Sequence, residues 1–505
     1  MLKRIHFNLT IFTTGAVVLI VEILGTRVIA PFYGATIFVW SAMIVVTLGA
    51  LALGYWAGGV LADRRPAFAF FYTLVFAAGF VLLLVKKIDR PLLMFSDHFG
   101  LKYGPFVGAL LLFFIPLFLL GLLSPFAVRL LTFSISLGER RSIIMNNKEE
   151  SGRKTGRVLA LSTFGSVTGA LAAAFWLIPS CTVSGIFLFL GLTLCLMAVS
   201  GFIVCGPAPK KVLFILYVML LFYSVFLNHG VPALNGNILY ETESFYGDIK
   251  MTQDGPFKCL YVNASAQSCL RADHTTDSRH VLAIQSIAES IHPKKVLLLG
   301  TAAGAALSGL DRRLNVDAVE LDPRMVAAAK EHNLFCDFPA RVFYDDARRY
   351  VRTTHEKYDF VIIDIAQGNS IPGYLYSRES LGDMRRILNE GGVLFVHLSL
   401  NPAASGDMFV ASLAATLRAV FGDYREVSYI DNPLRDVNLL ASRDSARLEH
   451  INVFPYVLRR SLDLRGAAVV TDDHNFLDYA YTPHAFEFRN VIMEAASKRD
   501  ILFVR

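Results

Sequence analysis

Four stretches in the second half of the chain put glycines or acids where an apolar run gives out. They are Gly300-Thr301-Ala302-Ala303-Gly304 after Val296-Leu297-Leu298-Leu299, Glu320 closing the run 316 to 321, Asp346 after an Asp-rich turn, and Asp364 after Val361-Ile362-Ile363. A carboxylate accepts hydrogen bonds from hydroxyl and amino groups, and a glycine lets backbone pass close to a ligand. The turn from Gly300 to Gly304 precedes a predicted helix, whose N-terminus offers N–H donors. Glu320, about 20 residues further on, is placed to accept from both hydroxyls of a ribose. Asp346 can accept from an adenine amino group, and Asp364 closes a fourth strand. A single such acid is ordinarily a solvated loop residue; the set points to an adenosyl ligand.

The elements around these residues follow from periodicity. A helical stretch, HVLAIQSIAESI, leads into the first apolar strand, and strands then alternate with helices at 323 to 331, 347 to 354 and 377 to 389. Continuous apolar strands alternating with helices predict a doubly wound parallel sheet of the Rossmann, class I methyltransferase-like type, with ligands beyond the carboxyl ends of its strands. Ahead of it, YETESFYGDIKMTQDGPFKCLYV reads as short hairpins broken by Asp254-Gly255-Pro256, a small β-rich lead-in.

The first half is of another kind. Of 505 residues 54% are hydrophobic and 18% charged, and the apolar excess is confined to roughly the first 230 residues. A membrane-spanning helix needs about 20 apolar residues. Seven segments qualify, about 8 to 29, 37 to 61, 67 to 86, 106 to 132, 157 to 179, 183 to 205 and 211 to 227. This predicts a multi-pass helical domain over 1–232, the hairpin region over 233–278 and the α/β domain over 279–505. The first apolar run is too long for a cleavable signal, so it is expected to remain as a helix. An inside N-terminus gives the inner loops about thirteen Lys and Arg against about five outside. Seven crossings from there put the C-terminal domain outside, whereas adenosyl donors are made in the cytoplasm; the side of that domain stays open at this point. Glu22 inside the first span should face a partner or a cavity, with Arg27 the nearest candidate, as a structural pair or as a ligand or proton site. Gly54 with Gly58, and Gly165 with Gly169, have the small-residue spacing of close helix packing. The net charge of +6 with no basic, aromatic-interleaved patch argues against nucleic acid, and the six cysteines, with no C-x-x-C pair, are expected to be reduced core residues and not metal ligands.

The order ETESFYGDIK, VLLLGTAAGAA, VELDP, DDARRY, YDFVIIDIAQGNSIPGYL and VVTDDHNFLDY resembles the polyamine aminopropyltransferase (spermidine synthase) family. GAVVLIVEILGTRVIAPFYG and LGALALGYWAGGVLADRR are similar to the membrane part of the bacterial branch in which that domain is fused to a domain resembling a major-facilitator half. The resemblance implies a bacterial inner-membrane protein. Its donor would be decarboxylated S-adenosylmethionine, with a small-molecule amine as acceptor, no metal, and a homodimer formed through the β-rich region. It assigns Gly300, Thr301, Gly304, Glu320, Asp346 and Asp364 to the donor and Asp364 with Gln367 to the reacting end.

Three positions depart from the family. Gln367 stands where a second acid serves as general base, Ala303 where an Asp reads the aminopropyl amine, and Gly247 where a Gln follows a Tyr. An amide can orient an amine but cannot take its proton. Tyr246, Asp248, Asp472 and Asp473 are candidates for the substrate side, the last two being equally plausible as a helix N-cap, while His397 reads as a packed residue. Three other readings stand beside the aminopropyltransferase: a methyltransferase using S-adenosylmethionine, a transporter or lipid-handling protein with an adenosyl-sensing domain, and an inactive scaffold.

Overall fold

The computed structural model describes residues 2–34, 36–136, 147–205, 238–263, 265–335, 338–366, 371–399, 408–429, 436–453, 455–459, 462–481 and 484. The chain divides into two compact units that part between Ala233 and Leu234.

The first unit is helical: α1 (Leu2–Tyr33), α2 (Ile37–Arg64), α3 (Phe68–Asp97), α4 (Gly100–Ser136), α5 (Asn147–Ala172, continued through a π turn to Ser180) and α6 (Val183–Cys205). Six helices among the described residues are long and apolar enough to cross a membrane. In hydrocarbon every backbone N–H and C=O must be satisfied within the segment, which is why such runs become helices. The seventh predicted segment, 211 to 227, lies outside the described residues. Leu48, Trp56, Phe164 and Trp176 are exposed on these helices, an outward apolar face that suits lipid.

Small residues set the helix pairings. A Cβ on Gly165 would stand 2.0 Å from the Phe12 carbonyl oxygen, one on Gly169 2.4 Å from that of Ala16, and one on Gly15 2.1 Å from that of Ser162, so α1 and α5 touch backbone to backbone. Gly54 and Gly58 bring α2 equally close to Phe118 and Leu122 of α4. Ser166 Oγ donates to the Gly15 carbonyl at 2.9 Å, and Asp63 pairs with Arg129 at 2.9 Å. Glu22 and Arg27, both on α1, lie about 140° apart around the helix. Five residues of helix carry the second side chain off the face of the first.

The second unit begins with a four-stranded antiparallel sheet, β1 (Ile238–Glu243), β2 (Asp248–Asp254), β3 (Phe257–Val262) and β4 (Ser265–Arg271). There Cys259 and Cys269 form a disulfide, against the expectation of reduced cysteines. The β3–β4 register places them directly opposite one another, 4.1 Å apart at Cα, a proximity that their spacing of ten residues does not reveal.

After α7 (Arg279–Ile291) come β5 (Lys295–Leu299), α8 (Ala305–Ser308), β6 (Asn315–Glu320), α9 (Pro323–Glu331), β7 (Arg341–Tyr344), α10 (Ala347–Thr353), β8 (Tyr358–Ile363), α11 (Arg378–Ile387), β9 (Leu388–Ser399), α12 (Met408–Phe421), β10 (Arg425–Tyr429), β11 (Asp436–Ser442) and β12 (Tyr456–Arg459). The sheet order is β12-β10-β11-β9-β8-β5-β6-β7, with β5 to β9 parallel and β10 to β12 added antiparallel at one edge. Val296 to Leu299 and Phe360 to Ile363 are fully buried, as strands covered by helices on both faces must be. From β5 the chain runs outward to β6 and β7 and then returns to β8 on the other side, so the strand order reverses between β5 and β8. At such a switch the loops diverge and leave a crevice.

Gly165→Leu is expected to force α1 and α5 apart, costing about 1–3 kcal/mol or more by overpacking and lowering the unfolding midpoint in detergent. Gly59→Leu, where nothing lies within 4 Å of an added Cβ, should leave it unchanged.

Candidate functional site

At the reversal the backbone is crowded. Gly300 has φ +92°, and a Cβ there would stand 2.1 Å from the Asp364 carbonyl oxygen, so only glycine lets the ends of β5 and β8 pass. The turn continues through Ala302 and Gly304, also at positive φ, into α8. Glu320, at the end of β6, is almost fully buried, and its carboxylate gathers three backbone N–H groups: Thr301 at 3.0 Å, Ala302 at 2.9 Å and Asp322 at 3.0 Å. Burial pushes its carboxyl up, while those three donors pull the other way. The result is a rigid loop whose shape depends on an acid at the end of the neighbouring strand.

Two lobes of one cleft open over these strand ends. The first, about 730 Å³ of open space, is walled by Gly300, Ala302, Glu320, Asp322, Met325, Asp345, Asp346, Asp364, Tyr246 and Tyr374 among others. Asp346 caps α10, accepting from Arg349 N–H at 2.9 Å, and also accepts from Tyr374 Oη–H at 2.8 Å. The Tyr246 hydroxyl is pushed up by burial and then by the neighbouring acids Asp322, Asp346 and Glu320. The second lobe, about 1040 Å³, adds Ser268, Ser278, Thr301, His280, His397 and Tyr481. Gln267, Gly300, Ala302, Asp364, Ile365 and Ala366 line both, so the lobes meet at Asp364.

Asp364 follows β8, its N–H bonded to the Leu299 carbonyl at 2.8 Å, with 22% of its side chain exposed. Its Oδ2 lies 3.5 Å from His280 Nε2. Burial pushes its carboxyl up, but His280 and then His397 outweigh this and hold it below the usual carboxylate range. It therefore stands as an anion between the lobes.

Of the candidates read from the sequence, Gly300, Glu320, Asp346, Asp364 and Tyr246 line the first lobe, and Thr301 the second. Gly304 contributes backbone conformation only. Asp248 and Asp473 line neither lobe. Asp472 is paired with Arg348 and donates its N–H to Glu379, which holds it away from the cleft. Gln367 lies outside the described residues. Sequence reasoning missed Gln267, Asp322, Tyr374 and His280. Tyr374 and Asp322 sit inside stretches already singled out, YDFVIIDIAQGNSIPGYL and VELDP, whereas nothing local marks Gln267 or His280.

A carboxyl with a depressed folded-state pKa adds stability above its unfolded value, about 3.9, that is lost as pH falls through the folded value. As pH falls below about 4 the parent should therefore lose unfolding midpoint that Asp364→Asn does not. Thermal melts across that range measure the difference, and parallel curves would contradict the assignment of the charge.

Residues 279–430 match the family described as spermine/spermidine synthase domain. Polyamine aminopropyltransferase 2 of Aquifex aeolicus is 27% identical over 453 residues, spanning 84% of this chain and 85% of that protein. The polyamine aminopropyltransferase of Vibrio vulnificus is 28% identical over 202 residues, 37% of this chain and 66% of its own length. A probable spermidine synthase structure from Corynebacterium glutamicum aligns over 47% of this chain and 97% of its own at 18% identity and a TM-score of 0.39. Behind six long apolar helices, residues 279–430 thus match a spermine/spermidine synthase domain, and the chain is similar along most of its length to a polyamine aminopropyltransferase.

Proposed function

We propose that this chain is a membrane-anchored transferase that moves the aminopropyl group of decarboxylated S-adenosylmethionine to a small-molecule amine. The observation that carries this is the two-lobed cleft with the Asp364 carboxylate at the junction, 3.5 Å from His280. One lobe has the acids and apolar walls that suit an adenosine; the other is polar and suits an amine.

In this reading Gly300, Thr301 and Gly304 shape the loop against the donor, Glu320 takes the ribose hydroxyls, and Asp346 takes the adenine amino group. Asp364 faces the sulfonium and the incoming ammonium, and its negative charge attracts both cations while lining up nitrogen, carbon and sulfur. Tyr246 closes the adenosine lobe. Gln367, Asp248, Asp472 and Asp473 belong to the acceptor side of the proposal only by their place in the sequence. The residues present fit an organic donor, and the reading calls on no metal. Pairing of two copies through the β1–β4 sheet belongs to the same proposal, as does insertion in a bacterial inner membrane with the N-terminus inside.

One departure favours a second reading. Ala303 is buried in the core, with its N–H 3.3 Å from Ser268 Oγ, and offers no carboxylate to an aminopropyl ammonium. A methyl donor has no need of one.

Calorimetry on the purified full chain with the decarboxylated and the carboxylated nucleoside separates these readings. At least tenfold tighter binding of the decarboxylated form is expected, with Glu320→Ala weakening it by about 10–100-fold, equivalent to about 1.4–2.7 kcal/mol. Preference for the carboxylated form would end the aminopropyl version, and no binding of either would end both. The reading also requires a cytoplasmic domain, although a bridge such as Cys259–Cys269 persists chiefly in oxidising compartments. Reporter fusions to the C-terminus that score outside would remove access to the donor and sink it.

A further inference from the structure

The second lobe holds two imidazoles, His280 and His397, that the proposed function leaves unused, beside the Asp364 it does use. Asp364, His280 and His397 each bring a ligand-type atom within 4.8 Å of the others. His280 is the second residue of α7 and His397 lies on β9, so three separate elements deliver the group. The imidazole rings are stacked, with centroids 3.9 Å apart and planes 17° from parallel.

That stacking decides against a metal. A ring nitrogen binds a metal in the plane of its ring at about 2.0–2.1 Å. Two nearly parallel planes this far apart share no such point, so their lone pairs run side by side and do not converge. The geometry suits proton exchange between two imidazoles and a carboxylate.

The hydrogen bonds identify the nitrogen that can receive a proton. His397 Nδ1 lies 2.8 Å from Asn438 Oδ1, its register partner on β11. An amide oxygen only accepts, so Nδ1 carries the hydrogen and Nε2 of the neutral ring carries the lone pair. His280 Nε2 faces Asp364 Oδ2 and is its donor. Among the described residues lining this lobe, His280 and His397 carry the only imidazoles.

Resting on the reading given above, we propose that His397 Nε2 is the proton acceptor of the transfer, with Asn438 as its positioning residue, in the role for which Gln367 has no basic atom. The acceptor enters as an ammonium and gives one proton to Nε2. Its freed lone pair then attacks the propyl carbon on the sulfonium. The C–N bond forms as the C–S bond breaks with its electron pair going to sulfur, which leaves a neutral thioether nucleoside and a secondary ammonium product. The imidazolium so formed is stabilised by the Asp364 carboxylate. Among the described residues, the groups that face His397 include His280, Asp364 and Asn438, with the Tyr481 hydroxyl in the same lobe wall.

The test measures turnover with a diamine acceptor, its pH profile, and donor affinity on the full chain in detergent. His397→Gln is expected to lower kcat by about 10²–10³-fold, within the range of general-base contributions, with donor affinity unchanged. Adding Gln367→Asp should restore at least tenfold and move the acid limb of kcat/KM from the imidazole range near pH 6.5 towards the carboxylate range near pH 4. Asn438→Leu, which keeps the imidazole but removes its Nδ1 partner, should lower kcat with donor binding intact and stands as the second variant if His397→Gln does not fold. Parental kcat and an unmoved acid limb in His397→Gln would overturn the proposal, as would an equal loss of donor binding. Activity abolished by a chelator and restored by Zn²⁺ would overturn it in favour of a metal site. All three leave the transferase reading standing, whereas a parent that binds no donor and turns over no amine removes that reading and this proposal together.

Discussion

The close passage of Gly300 beneath the Asp364 carbonyl is the constraint around which the cleft is arranged. The sheet reverses its strand order between β5 and β8, so the chain leaves neighbouring strands in opposite directions and their loops cannot cover one another. A side chain at position 300 would drive the two strand ends apart. With glycine there, the loop after β5 folds back over β6, where Glu320 fixes it through the N–H groups of Thr301 and Ala302. One backbone contact and one buried carboxylate together set the loop from Gly300 to Ala302 against the end of β8.

The acids of this domain divide by their surroundings. Asp317 is fully buried in β6, towards the opposite end of the strand from Glu320. It is held there by Arg341 at 2.7 Å and by Tyr358 Oη–H at 2.9 Å, a network that costs its charge little because every oxygen has a donor. Asp472 is likewise committed to Arg348. Asp346 and Asp364 differ in keeping one side towards open space, and Asp364 has imidazoles as partners, which hold its charge without covering it. The distinction between a structural acid and a ligand-facing one therefore lies in what kind of donor is opposite and how much of the carboxylate it covers.

The two units stand on different physics. In the second, apolar strands are buried between helices by the hydrophobic effect, and register in the β3–β4 hairpin is reinforced by a covalent bridge. In the first, long apolar helices associate by close backbone approach, and glycines take over the role that bulky core residues play elsewhere.

Much of this was legible in the residues alone. Runs of about 20 apolar residues can only be helices in lipid, and short apolar strands alternating with amphipathic helices can only bury both faces in a parallel sheet. The same regularity put Gly300, Glu320, Asp346 and Asp364 at strand ends, because in such a sheet those positions are fixed by local pattern. The antiparallel strands β10 to β12, the Cys259–Cys269 bridge and the Arg348 partner of Asp472 were not legible, since each depends on pairing between segments whose own sequences are unremarkable. The meeting of His280, Asp364 and His397 is of the same kind: three elements far apart in sequence converge there, and nothing local to any one of them encodes the other two. Local periodicity sets which way a side chain points from its own backbone; only the packed sheet sets what it points at.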